Sequence, residues 1–318
     1  MTNAKWVAHI GISILLMGLG NLGDAQAHEQ QNTQRIITAG GSLTEIVYAL
    51  EKGNQVVATD STSMFPTSAQ QVTKLGYFRQ LSTEGVLAQQ PTLLLGASAT
   101  GPGDMIEQVS EAGVKVVIYD VPKNLLGLQQ LIEQVGKVLK VPDKAKRLST
   151  SIAENVAHQA ASFKKRKDGY FPADAKPVKA LFVVSNNDRG LTVAGHNTVP
   201  QAMFDMVDIQ NGAQELEGYK LINNEAVVRH NPDVIFVAGH MLRGKNALTD
   251  LCEHPAIAAT FAGKHCLIKV MDSNVALGLS PRFPDGLSVI AEHALHALAL
   301  KHPTPMKKSA MSLINRTD

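Results

Sequence analysis

The chain has 318 residues, with 30 Lys and Arg against 28 Asp and Glu, a net charge of +2 and only 5% aromatic residues. A charge so balanced lacks the basic face or stripe that nucleic acid demands, and the length suffices for two domains.

Taken from the start, the first 27 residues read as an export signal rather than as fold. Lys5 supplies the charged beginning, Ile10 to Leu22 the apolar run and Ala25-Gln26-Ala27 the small-residue cleavage site. The run is too short and too broken by glycine for a stable membrane span, and no cysteine follows it to carry a lipid. Cleavage before His28 would release a soluble exported protein; an uncleaved anchor is the rival reading. Removing the segment takes away Lys5 and Asp24, one charge of each sign.

Arg35-Ile36-Ile37-Thr38-Ala39 predicts a short strand, Gly40-Gly41 a turn, and Ser42-Leu43-Thr44-Glu45 a capping box opening a helix through Leu50. Gln55 to Ala58, Thr92 to Leu95 and Val114 to Ile118 predict further strands, with a helix near Asp104 to Ala112. Short apolar strands alternating with helices imply a parallel sheet covered on both faces.

Between these elements lies Gly76-Tyr77-Phe78-Arg79-Gln80-Leu81-Ser82-Thr83-Glu84-Gly85-Val86. A phenolate is an anionic oxygen donor, one of the axial ligands that proteins offer to haem iron. The arginine two residues on supplies the positive charge that favours such an anion. The plain alternative is an amphipathic loop tyrosine beside a solvated arginine.

Residues 143–168 differ from what precedes them. Leu148, Ile152, Val156, Ala160 and Phe163 recur near helical spacing, Pro142 precedes them, and Gly169 with Pro172 ends the run. This predicts a charged helix with one apolar stripe, on the order of 37 Å long, suited to a strut between two lobes. The second half starts again with strands at Ala180 to Val184, Val234 to Ala238 and Leu267 to Val270, then a helix over Leu287 to Leu300 and a polar tail from His302. Cys252 and Cys266 form an even pair that an oxidising compartment would join, worth about 3 kcal/mol if unstrained; two buried thiols are the alternative. With His254 and His265 they are too widely spaced for a metal cluster.

The halves echo one another. Gly76-Tyr77, then Glu84, then Pro91 and the strand Leu93-Leu94-Leu95 correspond to Gly218-Tyr219, Glu225, Pro232 and Val234-Ile235-Phe236. Each glutamate precedes its proline by seven residues. Two similar lobes follow, with Glu84 and Glu225 in equivalent places.

At this point the chain resembles the periplasmic substrate-binding proteins of ABC importers for iron chelates, cobalamin and haem, from about Arg35 to about Leu300. Four segments are similar to the haem-binding members: Ala39 to Leu50, Gly76 to Ser82, Val193 to Thr198, and Gly278-Leu279-Ser280-Pro281-Arg282. The resemblance implies an α/β fold of two Rossmann-like lobes with parallel sheets, joined by one long rigid helix. The expected division is a signal peptide at 1–27, an N-terminal lobe at 28–142, a connecting helix at 143–168, a C-terminal lobe at 169–301 and a tail at 302–318. It implies a monomeric periplasmic carrier that holds haem (haemin) as transported ligand between its lobes and delivers it to an inner-membrane ABC permease. Tyr77 would be the axial iron ligand and Arg79 a propionate partner or a support for the phenolate. Glu84 and Glu225 would dock into basic pockets of the permease, helix-dipole complementation being their other reading.

Some haem-binding members add a histidine near the end of the first strand of the second lobe. Here that place reads Ser185-Asn186-Asn187-Asp188, and asparagine is a poor ferric ligand. His196 is then a candidate second ligand, a propionate donor or a ligand for a second haem, against the reading of an exposed loop histidine. Arg243 and Arg282 are weaker propionate candidates, each in a loop after a second-lobe strand. Met241 is a candidate porphyrin contact, and Tyr219 a packing or rim residue. A ferric siderophore or cobalamin is the alternative ligand on the same fold. A haem-modifying enzyme is a third possibility without motif support: the chain has no Gly-x-Ser-x-Gly elbow, His-Glu-x-x-His pair, P-loop or dinucleotide fingerprint.

Overall fold

The computed structural model describes residues 34–187, 189–242 and 244–303. The export signal, Arg243 and the tail beyond 303 therefore lie outside the described residues.

The first lobe runs β1 (Ile36–Ala39), α1 (Gly41–Ala49), β2 (Val56–Thr59), β3 (Thr73–Lys74), α2 (Thr83–Leu87), β4 (Leu93–Ala97), α3 (Gly103–Glu111), β5 (Lys115–Tyr119) and α4 (Leu125–Val138). Its sheet has the order β3-β2-β1-β4-β5, and every pair is parallel. Because side chains alternate along a strand, Ile36, Leu93 and Leu95 enter one core while Ile37 and Leu94 enter another on the opposite face. Apolar residues at successive positions are what a strand covered on both faces requires.

α5 (Pro142–Tyr170) follows. Proline sits at its first turn, where the missing N–H costs nothing. At 29 residues it is about 43 Å long. It packs on α4 of the first lobe and on the last helix of the second, Phe283–Lys301, burying Ala145, Ser149, Ile152, Val156 and Phe163.

The second lobe comprises β6 (Lys179–Asn187), β7 (Gly190–Ala194), α6 (Val199–Met206), β8 (Gln210–Asn211), β9 (Tyr219–Ile222), α7 (Asn224–His230), β10 (Val234–Ala238), α8 (Ala247–Glu253), α9 (Pro255–Ala258), α10 (Phe261–Lys264), β11 (Ile268–Met271), α11 (Ser273–Gly278) and α12 (Phe283–Lys301). Its sheet has the order β11-β10-β6-β7-β9, with β8 beside β6. Here the structure departs from the expected all-parallel sheet. β7 folds back on β6 as a hairpin and is antiparallel both to it and to β9. The turn closes at Gly190, whose φ of 135° suits glycine alone. Cys252 and Cys266 are joined as a disulfide with Cα atoms 5.4 Å apart, tying α8 to the turn before β11.

The start of α1 also differs from expectation. Its N-cap is Gly40, and no side chain of its own segment caps it. The first free amides are taken from outside: Gly40 N–H donates to Asp60 Oδ1 at 3.0 Å and Gly41 N–H to Thr62 Oγ1 at 3.1 Å. Glu45, expected to close the capping box, instead reaches the other lobe.

Candidate functional site

Loops at the carboxyl ends of the parallel strands of both sheets meet around a cleft of about 840 Å³, within the usual range for a small-molecule site. Gly40 follows β1, Ser61 follows β2, Ala97 ends β4 and Asp120 follows β5; from the second lobe, Gly239 follows β10 and Asp272 follows β11. Open sheets bind ligands at this end. Met64, Phe78, Val121, Leu131 and Leu277 supply apolar wall.

Tyr77 lines the cleft with 43% of its surface exposed. It lies in extended backbone before a short 3₁₀ turn, Phe78–Gln80. Its ring meets Phe78 edge-on at 4.9 Å between centroids. Arg79 also lines the cleft, its guanidinium 5.5 Å from the Phe78 ring centroid and 6.0 Å from that of Tyr77. The expected tyrosine and arginine thus share one wall.

Opposite them stands a histidine that sequence reasoning passed over. His240 lies in the turn after β10 and lines the second-lobe wall. Its Nδ1 is 2.8 Å from Ser273 Oγ, and its backbone N–H donates to the same oxygen at 3.2 Å. In the tautomer that donates from Nδ1 to Ser273, the Nε2 lone pair is free for a metal. The signal that could have found it is its place directly after a parallel strand; nothing in its neighbours marks it. Among the described lining residues Arg79 is the one fixed cation, against the carboxylates Asp120 and Asp272.

Two expectations are corrected. His196 is not brought to the cleft. β7 runs antiparallel to β6, so it begins at the cleft end, with Gly190 opposite Asn187, and delivers His196 to the other end of the sheet. His196 lies beyond Ala194, the end of β7, toward the amino ends of β6 and β10, where it bridges Glu217. Tyr219, paired with Ala194, sits at that same far end.

Arg282 is the second correction. Its guanidinium is committed to Glu45, with Nε donating to Oε2 at 3.0 Å and Nη2 to Oε1 at 2.5 Å. Asp272 lies 3.3 Å away, and the Phe65 ring centroid 4.2 Å away. With Nε and Nη2 committed to carboxylates and the residue absent from the cleft lining, Arg282 serves the contact between the lobes and not a propionate. Met241 is half-buried against the core.

Glu84 and Glu225 are both exposed and occupy the same place in their helices, two residues past the cap. Ser82 Oγ accepts from Gly85 N–H at 3.1 Å and Asn223 Oδ1 from Ala226 N–H at 2.9 Å. β9 runs parallel to β6, so Glu225 emerges at the cleft end of its sheet.

The apo form of the periplasmic heme-binding protein RhuT from Roseiflexus sp. RS-1 aligns with a TM-score of 0.76 at 29% identity, covering 84% of this chain and 99% of that one. A periplasmic heme binding protein from Pseudomonas aeruginosa gives 0.74 at 31% identity, over 86% of this chain and 94% of its own. The vitamin B12-binding protein of Vibrio parahaemolyticus is 24% identical over 212 residues, 66% of this chain and 72% of its own. The signature of the periplasmic binding protein family matches residues 36–275, and with two α/β lobes closing on one cleft the chain belongs to that family.

Proposed function

We propose that the protein is a periplasmic haem carrier that delivers haem to an inner-membrane ABC permease. The observation that carries this reading is an exposed tyrosine with an arginine beside it on one wall of an apolar-sided cleft. Tyr77 offers an anionic oxygen to ferric iron. Arg79 steadies that oxygen or pairs a propionate, and His240 is the ligand from the second lobe. The two structural relatives are haem-binding proteins by name. As a member of a family of binding proteins, the chain carries its ligand without converting it, and export places it where such a permease takes up cargo. Titration of the purified protein with haemin tests this: a Soret band grows to saturation with a tyrosinate-to-iron charge-transfer feature, and Tyr77→Phe loses that feature and at least tenfold in affinity. Unchanged spectrum and affinity in Tyr77→Phe would remove Tyr77 as ligand.

A second reading is favoured by the cleft carboxylate Asp120 and by the vitamin B12-binding relative. A corrinoid rimmed with amide donors suits Asp120 better than propionates do; Asp272 is already engaged by Arg282 and by the first amides of α11. Titration with cobalamin in parallel with haemin decides between them.

A further inference from the structure

Asp60 follows β2, and 1% of its surface is exposed. Four donors converge on its carboxylate. Oδ1 accepts from Gly40 N–H at 3.0 Å and from the Ser63 hydroxyl at 2.6 Å. Oδ2 accepts from Thr62 N–H at 2.9 Å and from the Thr62 hydroxyl at 2.6 Å. Among the described residues no cation forms an ion pair with it. Lys74 feels its charge but directs its ammonium at Thr59 Oγ1 and at the carbonyls of Ser63 and Ala69. A carboxylate held out of water this way depends on its hydrogen bonds in place of hydration.

What Asp60 holds is the cleft wall. Gly40, Ser61 and Thr62 all line the cleft. Thr62 Oγ1 also accepts from Gly41 N–H, and the Thr62 carbonyl accepts from Asn274 Nδ2 of the second lobe at 2.9 Å. Ser61 N–H donates to the Gly76 carbonyl at 2.7 Å, the peptide group that leads into Tyr77. Gly76 has a φ of 91°, and no heavy atom stands where its Cβ would be. No side chain restrains it, so on the upstream side the held carbonyl limits the direction in which Tyr77 leaves the wall, as the Gly101–Phe78 backbone bond does downstream.

Resting on the haem reading above, we infer that Asp60 is a positioning residue of the site: it sets the 61–63 turn and, through Ser61 and Gly76, the aim of Tyr77. Asparagine has the right shape for the pocket, but its amide N–H would face the Thr62 N–H, donor against donor. Thr62→Val keeps the shape and removes only the hydroxyl bridge between Asp60 and Gly41.

The test uses the mature protein labelled with 3-fluorotyrosine. The five tyrosines give five fluorine resonances, each assigned by its own Tyr→Phe variant. In the ligand-free protein, Asp60→Asn shifts or broadens the Tyr77 resonance and leaves those of Tyr48 and Tyr170 in place. On haemin titration it weakens binding about tenfold, the loss expected for one charge-assisted hydrogen bond, and diminishes the tyrosinate feature. Thr62→Val shows the same pattern at smaller size and carries the test if Asp60→Asn does not fold. A Tyr77 resonance unmoved in the folded variants overturns the inference. Should the parent protein fail to bind haemin, the haem reading falls, while the ligand-free resonance still decides what Asp60 does.

Discussion

At the scale of the residue, the place of Tyr77 and Arg79 was legible because the two lie within three consecutive positions, and a loop that short keeps them on one wall. His240 was not, since a lone histidine after an apolar strand carries no local mark; only the meeting of two sheets' carboxyl ends makes it part of a site. His196 misled for the converse reason. Its loop had family likeness, but an antiparallel strand carried it to the wrong end. If His240 binds the iron opposite Tyr77, then haem in the parent protein is six-coordinate, and His240→Ala converts it to a five-coordinate form that keeps the tyrosinate feature. Electron paramagnetic resonance of the two ferric complexes checks this, and identical spectra would exclude His240. His196→Ala leaves both spectrum and affinity unchanged.

At the scale of the element, α5 was readable except for its last turn. Proline at its start, the apolar stripe and Pro172 beyond it are local signals, but the helix runs through Gly169, expected to stop it, to Tyr170. The start of α1 was not. Its Ser42–Glu45 pattern fits a capping box, but Asp60 and Thr62 already hold the amides of Gly40 and Gly41. A long-range partner thus displaced a short-range one. For α2 and α7 the local signal held, each with a capping side chain and a glutamate free of ion pairs among the described residues. Ser82→Ala and Asn223→Ala each cost about 1 kcal/mol in urea unfolding. Glu84→Ala and Glu225→Ala, singly or together, leave haemin affinity intact. They lower stimulation of the reconstituted permease's ATPase, the double variant most, if these carboxylates set register at the docking face. A change in haemin affinity instead would place them in the site.

At the scale of the whole molecule, the two lobes do not hang from one strut. α5 packs on both, and the cleft floor is closed by direct contact: Gly41 has no room for a Cβ because Asn274 stands against it, and Gly278 none because of Ser42. Across that floor runs the Glu45–Arg282 pair, its carboxylate almost fully buried. Removing the arginine strands a buried charge, so Arg282→Ala should cost about 3 kcal/mol, read as a lower urea midpoint. Acid acts on the molecule through His293, which α12 sets edge-on to Phe236 of β10. Burial lowers its pKa below the usual 6.5, with Lys269 and His296 adding to the effect and the Val289 carbonyl and Glu292 opposing it. The folded state then binds its proton less readily than the unfolded state, so its contribution is whole above pH 6.5 and lost as pH falls below it. His293→Gln flattens that part of the pH dependence. The same fixed floor limits motion. With two helices' worth of packing, a buried ion pair and the Asn274–Thr62 bond all crossing between lobes, wide hinge opening would have to break them together. Small-angle scattering of free and haemin-loaded protein should therefore give nearly superimposable curves, whereas Arg282→Ala widens the ligand-free form. A large compaction of the parent protein on loading would mean that the floor opens after all.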